Sequence, residues 1–319
     1  MRYLVNDNTD PHYNMAFDEW CLENLDVPEP VFYLWRNRPS VIIGLNQNAY
    51  SEVDLPYLES HGITLARRVT GGGAVYHDLQ NLNYTFIGRK VDTTPFVEAL
   101  GHLGIPAEVS GRNDVFVDGR KISGYARRVF KDRTMVHGTL MYDVDIDTLT
   151  AVLSAPGSKM EAKGIASVRS RVCNLKDICP RFTSVLAVRD ALHEFLEGYG
   201  GCGGELLLTD GQKAGIESLS SSKFSTWEWN YGHSREASIV RNAKLPCGSV
   251  EAAISLDGGM IRSVDFSGDF LGRLSPEGLS RRLEGLRYDR ASLEKGLASV
   301  RVEDYFDSAD GDELLSLLI

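Results

Sequence analysis

The sequence predicts an α+β fold, with mixed or antiparallel sheets flanked by helices and a small α+β domain at the C-terminus. Amphipathic segments with helical spacing alternate with short β-rich runs. Tight-turn signals such as Asp118-Gly119 and Asp257-Gly258-Gly259 join several of those runs as antiparallel hairpins. A chain of 319 residues is long enough for one large and one smaller domain, which we place at 1–243 and 244–319.

The N-terminal third contains one amphipathic helix and several strands. Asp10-Pro11 is typical of a helix start, and the apolar spacing that follows predicts a helix over 11–25. A shorter helix is predicted at 55–60. The β-rich runs predict strands at 31–35, 41–45, 63–67 and 83–87.

Hairpins and helices alternate through the rest of the chain. Hairpins are predicted over 113–123, 124–144 and 249–266. Helices are predicted at 94–103, 145–153, 183–197, 211–220, 275–286, 290–298 and 311–319. The polar stretch 221–226 is predicted to be a loop.

Charge and composition narrow the classes of function. The formal net charge of −10 argues against general nucleic-acid binding, which requires a basic surface. No apolar run reaches the roughly 20 residues of a membrane helix, no signal peptide is visible, and the cysteines form no CxxC pair. We therefore expect a cytoplasmic, monomeric protein that associates with neither nucleic acid nor membrane.

Three consecutive glycines at 71–73 follow Arg67 and Arg68 and precede a short apolar run. Such a run suits a loop whose backbone passes close to a ligand, and the arginine fork matches phosphate or carboxylate. The run joins two predicted strands, and it fits neither the Walker pattern nor the dinucleotide-binding pattern. It is therefore either a simple turn or an anion-binding loop of another architecture.

Three further segments carry polar residues beside predicted hairpin strands: 111–114, 121–124 and 137–140. An isolated Lys, Asp or His at such a place is usually a surface charge or a satisfied core group. Their occurrence together with the glycine run is more informative. We expect one antiparallel sheet to present all four segments on a single face.

Five motifs, in order, closely resemble the lipoate-protein ligase A family of the biotinyl/lipoyl ligase superfamily. They are RRVTGGGAVYHDLQNLNYTF (67–86), GRNDVFVDGRKISGYA (111–126), HGTLM (137–141), KGIASVRSRV (163–172) and SKFSTWEWNYG (222–232). The resemblance covers most of 11–232 and implies a class II aminoacyl-tRNA synthetase/biotinyl-lipoyl ligase-like fold. The C-terminal module resembles the family's accessory domain in its pattern of elements.

The resemblance implies a reaction in two steps that uses ATP and Mg²⁺. Lipoate is first activated as lipoyl-AMP with release of pyrophosphate, and the lipoyl group then passes to a lysine of an acceptor lipoyl domain. Acceptors of this kind belong to 2-oxo acid dehydrogenase complexes and include the glycine-cleavage H protein. The resemblance leaves open whether octanoate is also a substrate.

The resemblance also assigns roles to particular residues. Lys121 is the expected catalytic residue, and Asp114 the expected Mg²⁺ contact. The expected adenylate site consists of Arg68, Gly73, Ala74, Val75, Tyr76, Lys121, Asn113 and Asp114. The expected lipoate site consists of Lys121, His137, Arg68 and Gly72. A loop at 163–172 is expected to cover the adenylate, with Lys159 and Lys163 near phosphate, and the basic segment 127–133 is expected to dock acidic acceptor domains.

Three other functions stay open at this stage. A transferase of the same fold would form a thioester on a cysteine, for which Cys173 is the candidate, although no base lies near it in sequence. A biotin ligase would carry a GRGRxG-type loop, and this chain has RRVTGGG instead. A non-catalytic lipoate- or adenylate-binding protein would keep the pocket without the chemistry.

Overall fold

The structure is a computed structural model that describes residues 1–110, 113–153, 172–201, 203–232, 237–268 and 270–319. The chain divides into two compact units. The first combines Met1–Asn46 with most of the chain from Tyr57 to Thr226, and the second combines Gln47–Pro56 with Trp227–Ile319. The domain boundary placed at 243 and 244 from the sequence lies inside a strand of the second unit, Ala237–Leu245.

The described strands include short edge strands and long hairpin arms. They are β1 (Arg2–Tyr3), β2 (Val31–Trp35), β3 (Ser40–Ile43), β4 (Thr64–Arg67), β5 (Val75–His77), β6 (Asn81–Gly88), β7 (Glu108–Ser110), β8 (Asp114–Val117), β9 (Arg120–Phe130), β10 (Arg133–Met141), β11 (Gly204–Glu205), β12 (Ala237–Leu245), β13 (Gly248–Asp257) and β14 (Met260–Gly268).

The described α-helices are Pro11–Asn24, Ala49–Glu52, Leu55–Ser60, Thr94–His102, Ile146–Val152, Leu175–Ile178, Val185–Gly198, Asp210–Leu219, Glu277–Leu283, Arg290–Leu297 and Gly311–Leu318. Pro11–Asn24 begins where predicted. The Asp10 carboxylate accepts hydrogen bonds from the backbone N–H groups of His12 and Tyr13, and Pro11 needs no donor at the first helical position.

Two sheets form the framework of the first unit. The larger has the order β11-β1-β2-β6-β10-β9-β8-β7, and the smaller has the order β4-β3-β5. The larger sheet is antiparallel from β2 to β7, whereas β3 pairs parallel with β4 and antiparallel with β5. The prediction of mixed sheets is confirmed. The prediction of a single sheet for all four polar segments is wrong, because the glycine run joins two strands of the smaller sheet, β4 and β5.

The core of the first unit lies between the larger sheet and the helices Thr94–His102 and Val185–Gly198. Tyr84 of β6 stacks on Phe96 with ring centroids 3.9 Å apart. Every residue of β2 and β6 is buried, and β2 accordingly consists of a continuous apolar run, whereas β6 also buries the polar residues Asn81, Asn83 and Thr85.

The second unit has its own core. The strands β12, β13 and β14 form an antiparallel sheet, against which the C-terminal helices pack their leucines. The α+β character predicted for this part of the chain is confirmed. The sequence did not predict β12, because no tight-turn signal or strict alternation marks its start.

Two local predictions about turns had different outcomes. Asp118 and Gly119 have φ of 50° and 72°, as a type I′ hairpin turn requires, so that prediction is confirmed. The loop predicted at 221–226 is wrong, since Ser220–Phe224 forms a π-helical turn. There the serine hydroxyls bond back to carbonyls, as when Ser222 Oγ donates to Ser218 O. Among the described helices, none is long and apolar enough to cross a bilayer.

Candidate active site

The glycine run connects β4 to β5 and wraps around one buried arginine. The guanidinium Nη2 of Arg68 donates to the carbonyls of Gly71 and Gly73, both at 2.8 Å, and Nη1 donates to Ile42 O at 3.0 Å. Arg68 is 7% exposed, and burial lowers its pKa to about 10, so it stays protonated at neutral pH. Arg68 therefore holds the loop in shape and places a positive charge beneath it.

Close approach of backbone to backbone explains two of the glycines. Gly72 has φ of 99°, a region that side chains with a Cβ rarely adopt. A Cβ on Gly44 would lie 2.1 Å from the carbonyl oxygen of Gly72. The chain after β3 and the glycine loop therefore touch at a distance that only glycine allows.

Gly44→Ala is expected to lower the free energy of unfolding by about 1–3 kcal/mol, because the added methyl group must displace the loop backbone. Thermal unfolding measures the effect. Gly71→Ala is the matched control, since a Cβ at Gly71 meets open space and the residue has no positive φ. An unchanged melting temperature for Gly44→Ala would contradict the close packing of this loop.

A β-bulge places Lys121 beside Asp114. In the β8–β9 pair, Val115 faces Ser123 and Phe116 faces Lys121, so Ile122 is an extra residue on β9. Without this extra residue, Lys121 and Gly124 would lie on opposite faces, since side chains alternate along a strand. With it, Lys121 reaches the face of Asp114, and its Nζ lies 2.7 Å from Asp114 Oδ1.

Gly124 makes room for the ammonium group of Lys121. A Cβ at Gly124 would lie 3.0 Å from Lys121 Nζ and 3.5 Å from Asp114 Oδ1. The Lys121 and Asp114 side chains are 36% and 29% exposed, so a ligand can reach both. The KISG motif is therefore explained by local packing around a positioned lysine.

Residues of the two sheets line a cavity of about 150 Å³. Its wall combines apolar side chains with the predicted polar residues: Met15, Trp35, Ile42, Arg68, Gly72, Gly73, Ala74, Val75, His77, Asn83, Asn113, Lys121, Gly124, Tyr125, Ala126, His137, Gly138 and Thr139. A larger cavity of about 590 Å³ adjoins it and shares Gly72, Gly73, Asn113, Tyr125 and Ala126.

A chain of buried hydrogen bonds connects the glycine loop to the larger sheet. His137 Nε2 lies 2.8 Å from Thr70 Oγ1, and His137 Nδ1 lies 2.7 Å from Asp18 Oδ2. Asp18 Oδ1 also accepts from the Tyr33 hydroxyl at 2.5 Å and from Thr85 Oγ1 at 3.0 Å. Asp18 is 1% exposed, so these hydrogen-bond donors, and not water, stabilise its carboxylate.

The direction of each bond in this chain follows from chemistry. A carboxylate only accepts, so His137 Nδ1 donates to Asp18. Arg68 Nε donates to Thr70 Oγ1 at 3.0 Å, which leaves the Thr70 hydroxyl hydrogen for His137 Nε2. A neutral His137 ring with its proton on Nδ1 satisfies every hydrogen in the chain.

Most predicted site residues are brought together. Arg68, Gly72, Gly73, Ala74, Val75, Asn113, Lys121 and His137 line the cavity. Asp114 reaches the site through its ion pair with Lys121. Tyr76 is the exception: its buried side chain is not among the lining residues, because Val75 and His77 occupy the other face of β5.

The sequence reasoning missed several residues of the site. Asp18, Thr70, Thr85, His77 and Asn83 all belong to the cavity wall or to its hydrogen-bond network. The signal available for Asp18 was a carboxylate in the middle of an apolar helix segment, which is costly unless it is paired. Lys159, Lys163, the loop 163–171, Gly111 and Arg112 lie outside the described residues.

Cys173 is a buried residue that packs in the core of the first unit. It is 4% exposed, and burial raises the pKa of its thiol, which disfavours the reactive thiolate. Its backbone N–H donates to the Lys121 carbonyl at 3.0 Å. Cys173 therefore supports the strand that carries Lys121, as expected for a small buried residue.

The basic segment 127–133 is partly neutralised by acidic neighbours. Arg128 pairs with Glu19 at 3.2 Å and with Glu23 at 3.5 Å. Arg133 Nη1 donates to the Leu25 carbonyl. Arg127 and Lys131 are exposed. The segment's charge toward solvent is therefore smaller than its sequence suggests.

The mixed sheets, the flanking helices and the cavity between the glycine loop and Lys121 belong to a lipoyl ligase-type catalytic fold. The family described as "Lipoyl protein ligase A/B catalytic domain" matches residues 10–197, and "Bacterial lipoate protein ligase C-terminus" matches residues 234–318. The chain belongs to the lipoate-protein ligase family.

Relatives and solved structures agree with this assignment. The chain is 37% identical to lipoate-protein ligase LplJ of Bacillus subtilis, with all of both chains covered. It is similar to a bi-partite lipoate protein ligase of Thermoplasma acidophilum, solved in a study of that protein and its E2 lipoyl domain (34% identity, TM-score 0.67, 73% of this chain and 97% of that chain). It is also similar to a lipoate-protein ligase A bound with ATP (31% identity, TM-score 0.64, 73% of this chain and 98% of that chain).

Proposed function

We propose that this protein is an ATP-dependent lipoate–protein ligase, which forms lipoyl-AMP and then transfers the lipoyl group to a lysine of an acceptor lipoyl domain. The observation that carries the proposal is an accessible lysine, Lys121, held by Asp114 at a cavity whose other wall is the Arg68 glycine loop. Full-length similarity to a named lipoate-protein ligase supports it.

The shape of the site suggests how the two substrates share it. The smaller cavity, of about 150 Å³, lies below the roughly 300–1,000 Å³ of a typical ligand pocket. It suits the acyl chain of an acid, with apolar contacts from Met15, Trp35 and Ile42. The larger cavity beside it, lined by the glycine loop, Asn113 and Arg127, has the volume for a nucleotide.

Lys121 carries the chemistry in this proposal. The lipoate carboxylate and the α-phosphate of ATP are both anionic, and a shared ammonium group reduces their repulsion as the mixed anhydride forms. The same ammonium would stabilise the oxyanion when an acceptor lysine attacks. Asp114 positions the ammonium group of Lys121, since its carboxylate oxygen lies 2.7 Å from Nζ.

The residues fit a Mg²⁺ ion that is held largely by phosphate oxygens. Among the described residues, no group of three or more metal-ligating His, Cys, Asp or Glu side chains occurs. Asp114 offers one partly exposed carboxylate, and Mg²⁺ in nucleotide sites often takes only one or two. Asp114 would hold the ion, which when bound neutralises charge on the phosphates.

Mass spectrometry of an acceptor lipoyl domain tests the whole reaction. Incubation with the protein, lipoate, ATP and Mg²⁺ should add one lipoyl group to the acceptor. Lipoate-dependent exchange of pyrophosphate into ATP tests the first step alone. Absence of exchange would reject the ligase and leave the alternative of a non-catalytic binding protein.

Cys173→Ser separates the ligase from a transferase. Because Cys173 is a buried packing residue in the ligase proposal, this variant should still lipoylate the acceptor with ATP. Loss of transfer with retained thermal stability would favour the thioester route instead.

The exposed end of the basic segment is the proposed contact for acidic acceptor domains. Lys131→Glu should raise the KM for the acceptor roughly threefold, since a charge at the rim of an interface affects encounter most, and the effect should shrink in high salt. Steady-state lipoylation measures it. Arg128→Glu is a poorer probe, because it would face Glu19 and Glu23 and destabilise the fold.

Lys213→Glu is the matched control for that experiment. Lys213 is exposed on the helix Asp210–Leu219, outside both the basic segment and the cavity. If Lys131→Glu and Lys213→Glu give the same KM, the basic segment takes no part in docking.

A further inference from the structure

The strand β9 separates from β10 in the middle of the larger sheet. The last paired residues of the two strands are Tyr125 and Gly138, and β10 then continues beside β6 as far as Met141. The part of β9 that carries Lys121 is therefore paired with β8 on one side but not with β10 on the other. Buried backbone groups along such an edge need another partner.

The chain at 172–173 supplies that partner. Val172 forms a parallel β-bridge with Lys121, and the N–H group of Cys173 donates to the Lys121 carbonyl at 3.0 Å. On the other side of the strand, Lys121 faces Phe116 of β8 at the β-bulge. The main chain of Lys121 is therefore held from both sides.

The side chain of Asn174 fastens this segment to the chain that follows β10. Asn174 Oδ1 accepts from the N–H group of Val144, and Asn174 Nδ2 donates to the Val144 carbonyl, both at 3.0 Å. One amide thus satisfies both backbone groups of one residue, as a neighbouring strand would. Asn174 is 8% exposed and Val144 is 3% exposed, and hydrogen bonds are stronger in such a nearly dry environment.

Local helix capping does not explain this asparagine. Asn174 is the N-cap of the short helix Leu175–Ile178, a position at which an asparagine side chain usually accepts from the first turn of the helix. Its side chain makes no such bond and instead binds Val144, which is 30 residues away in sequence. The tertiary contact is therefore what requires both the oxygen and the NH₂ group of this side chain.

Asn174 can influence the reaction only through the groups that it holds. Neither Asn174 nor Val144 is among the described residues that line the two cavities. Lys121, by contrast, lines the smaller cavity, and its Nζ lies 2.7 Å from Asp114 Oδ1. Because a shift of the main chain moves the ammonium group with it, the position of Nζ depends on the segment that Asn174 fastens.

We propose that Asn174 is a positioning residue for Lys121, because it fastens residues 172–173 along the edge of β9 from which β10 has separated. The inference rests on the proposed function, in which the Lys121 ammonium group stabilises charge as the adenylate forms. A displaced ammonium group loses interactions that are made mainly in the transition state, so the rate should fall while substrate binding is kept.

Asn174→Leu, which is close in size and removes both hydrogen bonds, tests the proposal. In lipoate-dependent pyrophosphate exchange, kcat and kcat/KM should fall together by about 10- to 100-fold, while the KM values for lipoate and ATP stay within about twofold. Rates are compared per folded molecule, with melting curves to show the folded fraction.

Tyr142→Phe is the matched control. It removes another side-chain bond to the backbone in the same region, from the Tyr142 hydroxyl to the Phe182 carbonyl at 2.9 Å, and leaves the main chain of Lys121 untouched. Its kcat should stay within about twofold of the wild-type value. An equal loss of kcat in Tyr142→Phe and Asn174→Leu would contradict a specific role for Asn174.

A double-mutant cycle separates positioning of Lys121 from a general effect on the fold. In a Lys121→Met background, Asn174→Leu should lower the single-turnover rate of adenylate formation by less than about twofold further, since the group that it positions is gone. A merely structural role would lower the rate by the same factor in both backgrounds.

Two results would overturn the inference: an unchanged kcat in folded Asn174→Leu, or an equal fractional loss with and without the Lys121 ammonium group. Should Asn174→Leu not fold, Asn174→Asp decides in the same assays, since it keeps the acceptor for the Val144 N–H group and replaces only the donor. Failure of the proposed function would appear separately, as absence of exchange in the wild-type protein.

Discussion

Lys121→Met should reduce lipoate-dependent pyrophosphate exchange by roughly three orders of magnitude, the upper range found when one group that stabilises developing charge is removed. Methionine keeps an unbranched side chain that is one atom shorter, and it removes the charge and the hydrogen bonds of the ammonium group. The two anions that meet in the site would then repel each other without compensation. Exchange assays with purified protein measure the loss.

The fold should survive this change. The Lys121–Asp114 pair is partly exposed, and such pairs contribute at most about 1 kcal/mol to stability. Lys213→Met, at an exposed helix position, is the matched control and should keep full exchange activity. Adenylate formation by a folded Lys121→Met variant at near wild-type rate would mean that another group carries the charge.

The second large effect is expected from Asp18→Asn, which is nearly isosteric and leaves no cavity. An asparagine NH₂ group facing His137 Nδ1 forces the ring hydrogen onto Nε2. Thr70 Oγ1, which already accepts from Arg68, would then face a second donor and lose the acceptor for its own hydrogen. One substitution in the helix Pro11–Asn24 thus disturbs the glycine loop through the tautomer of His137.

We expect Asp18→Asn to lower the free energy of unfolding by about 2 kcal/mol, the range for hydrogen bonds to a charged group. Adenylation should fall about 100-fold, because small displacements of a positioning loop are costly. Chemical denaturation and pyrophosphate exchange measure the two effects. NMR of the ring nitrogens of His137 would reveal the changed tautomer.

Asp143→Asn is the control for that substitution. Asp143 makes an exposed ion pair with Lys176, so its loss should cost no more than about 1 kcal/mol. If Asp18→Asn is as mild as Asp143→Asn in both assays, the buried chain has no role in holding the loop.

Local sequence patterns predict much of the fold. The cap residue Asp10 and the apolar spacing predict the helix Pro11–Asn24. The turn at Asp118-Gly119 is predicted by two residues that tolerate positive φ. These signals are short-range, so each is complete within about a dozen residues. The strand Ala237–Leu245 and the π-helical turn at Ser220–Phe224 lacked such signals and were missed.

The sequence predicts only part of the site. The glycine run, Lys121, Asp114 and His137 stand in recognisable motifs, and the structure brings them together. His77 and Asn83 stand inside the 67–86 motif, and Asp18 is a carboxylate in an apolar helix segment, but nothing local indicates what these side chains contact. Their importance arises from partners far along the chain, as in the contact between His137 and Asp18, which are 119 residues apart in sequence.

The sequence by itself determined the family and the α+β class, and it singled out Lys121 as the proposed catalytic residue, because these depend on residue types and short spacings. Tertiary structure alone decided which face Lys121 occupies, since one extra residue, Ile122, reverses the alternation of β9. It also decided that the glycine loop of the smaller sheet and Lys121 of the larger sheet line the same cavity. Only the structure shows that Arg68 mainly holds the glycine loop in shape. Register and burial are properties of paired strands, and no single segment contains them.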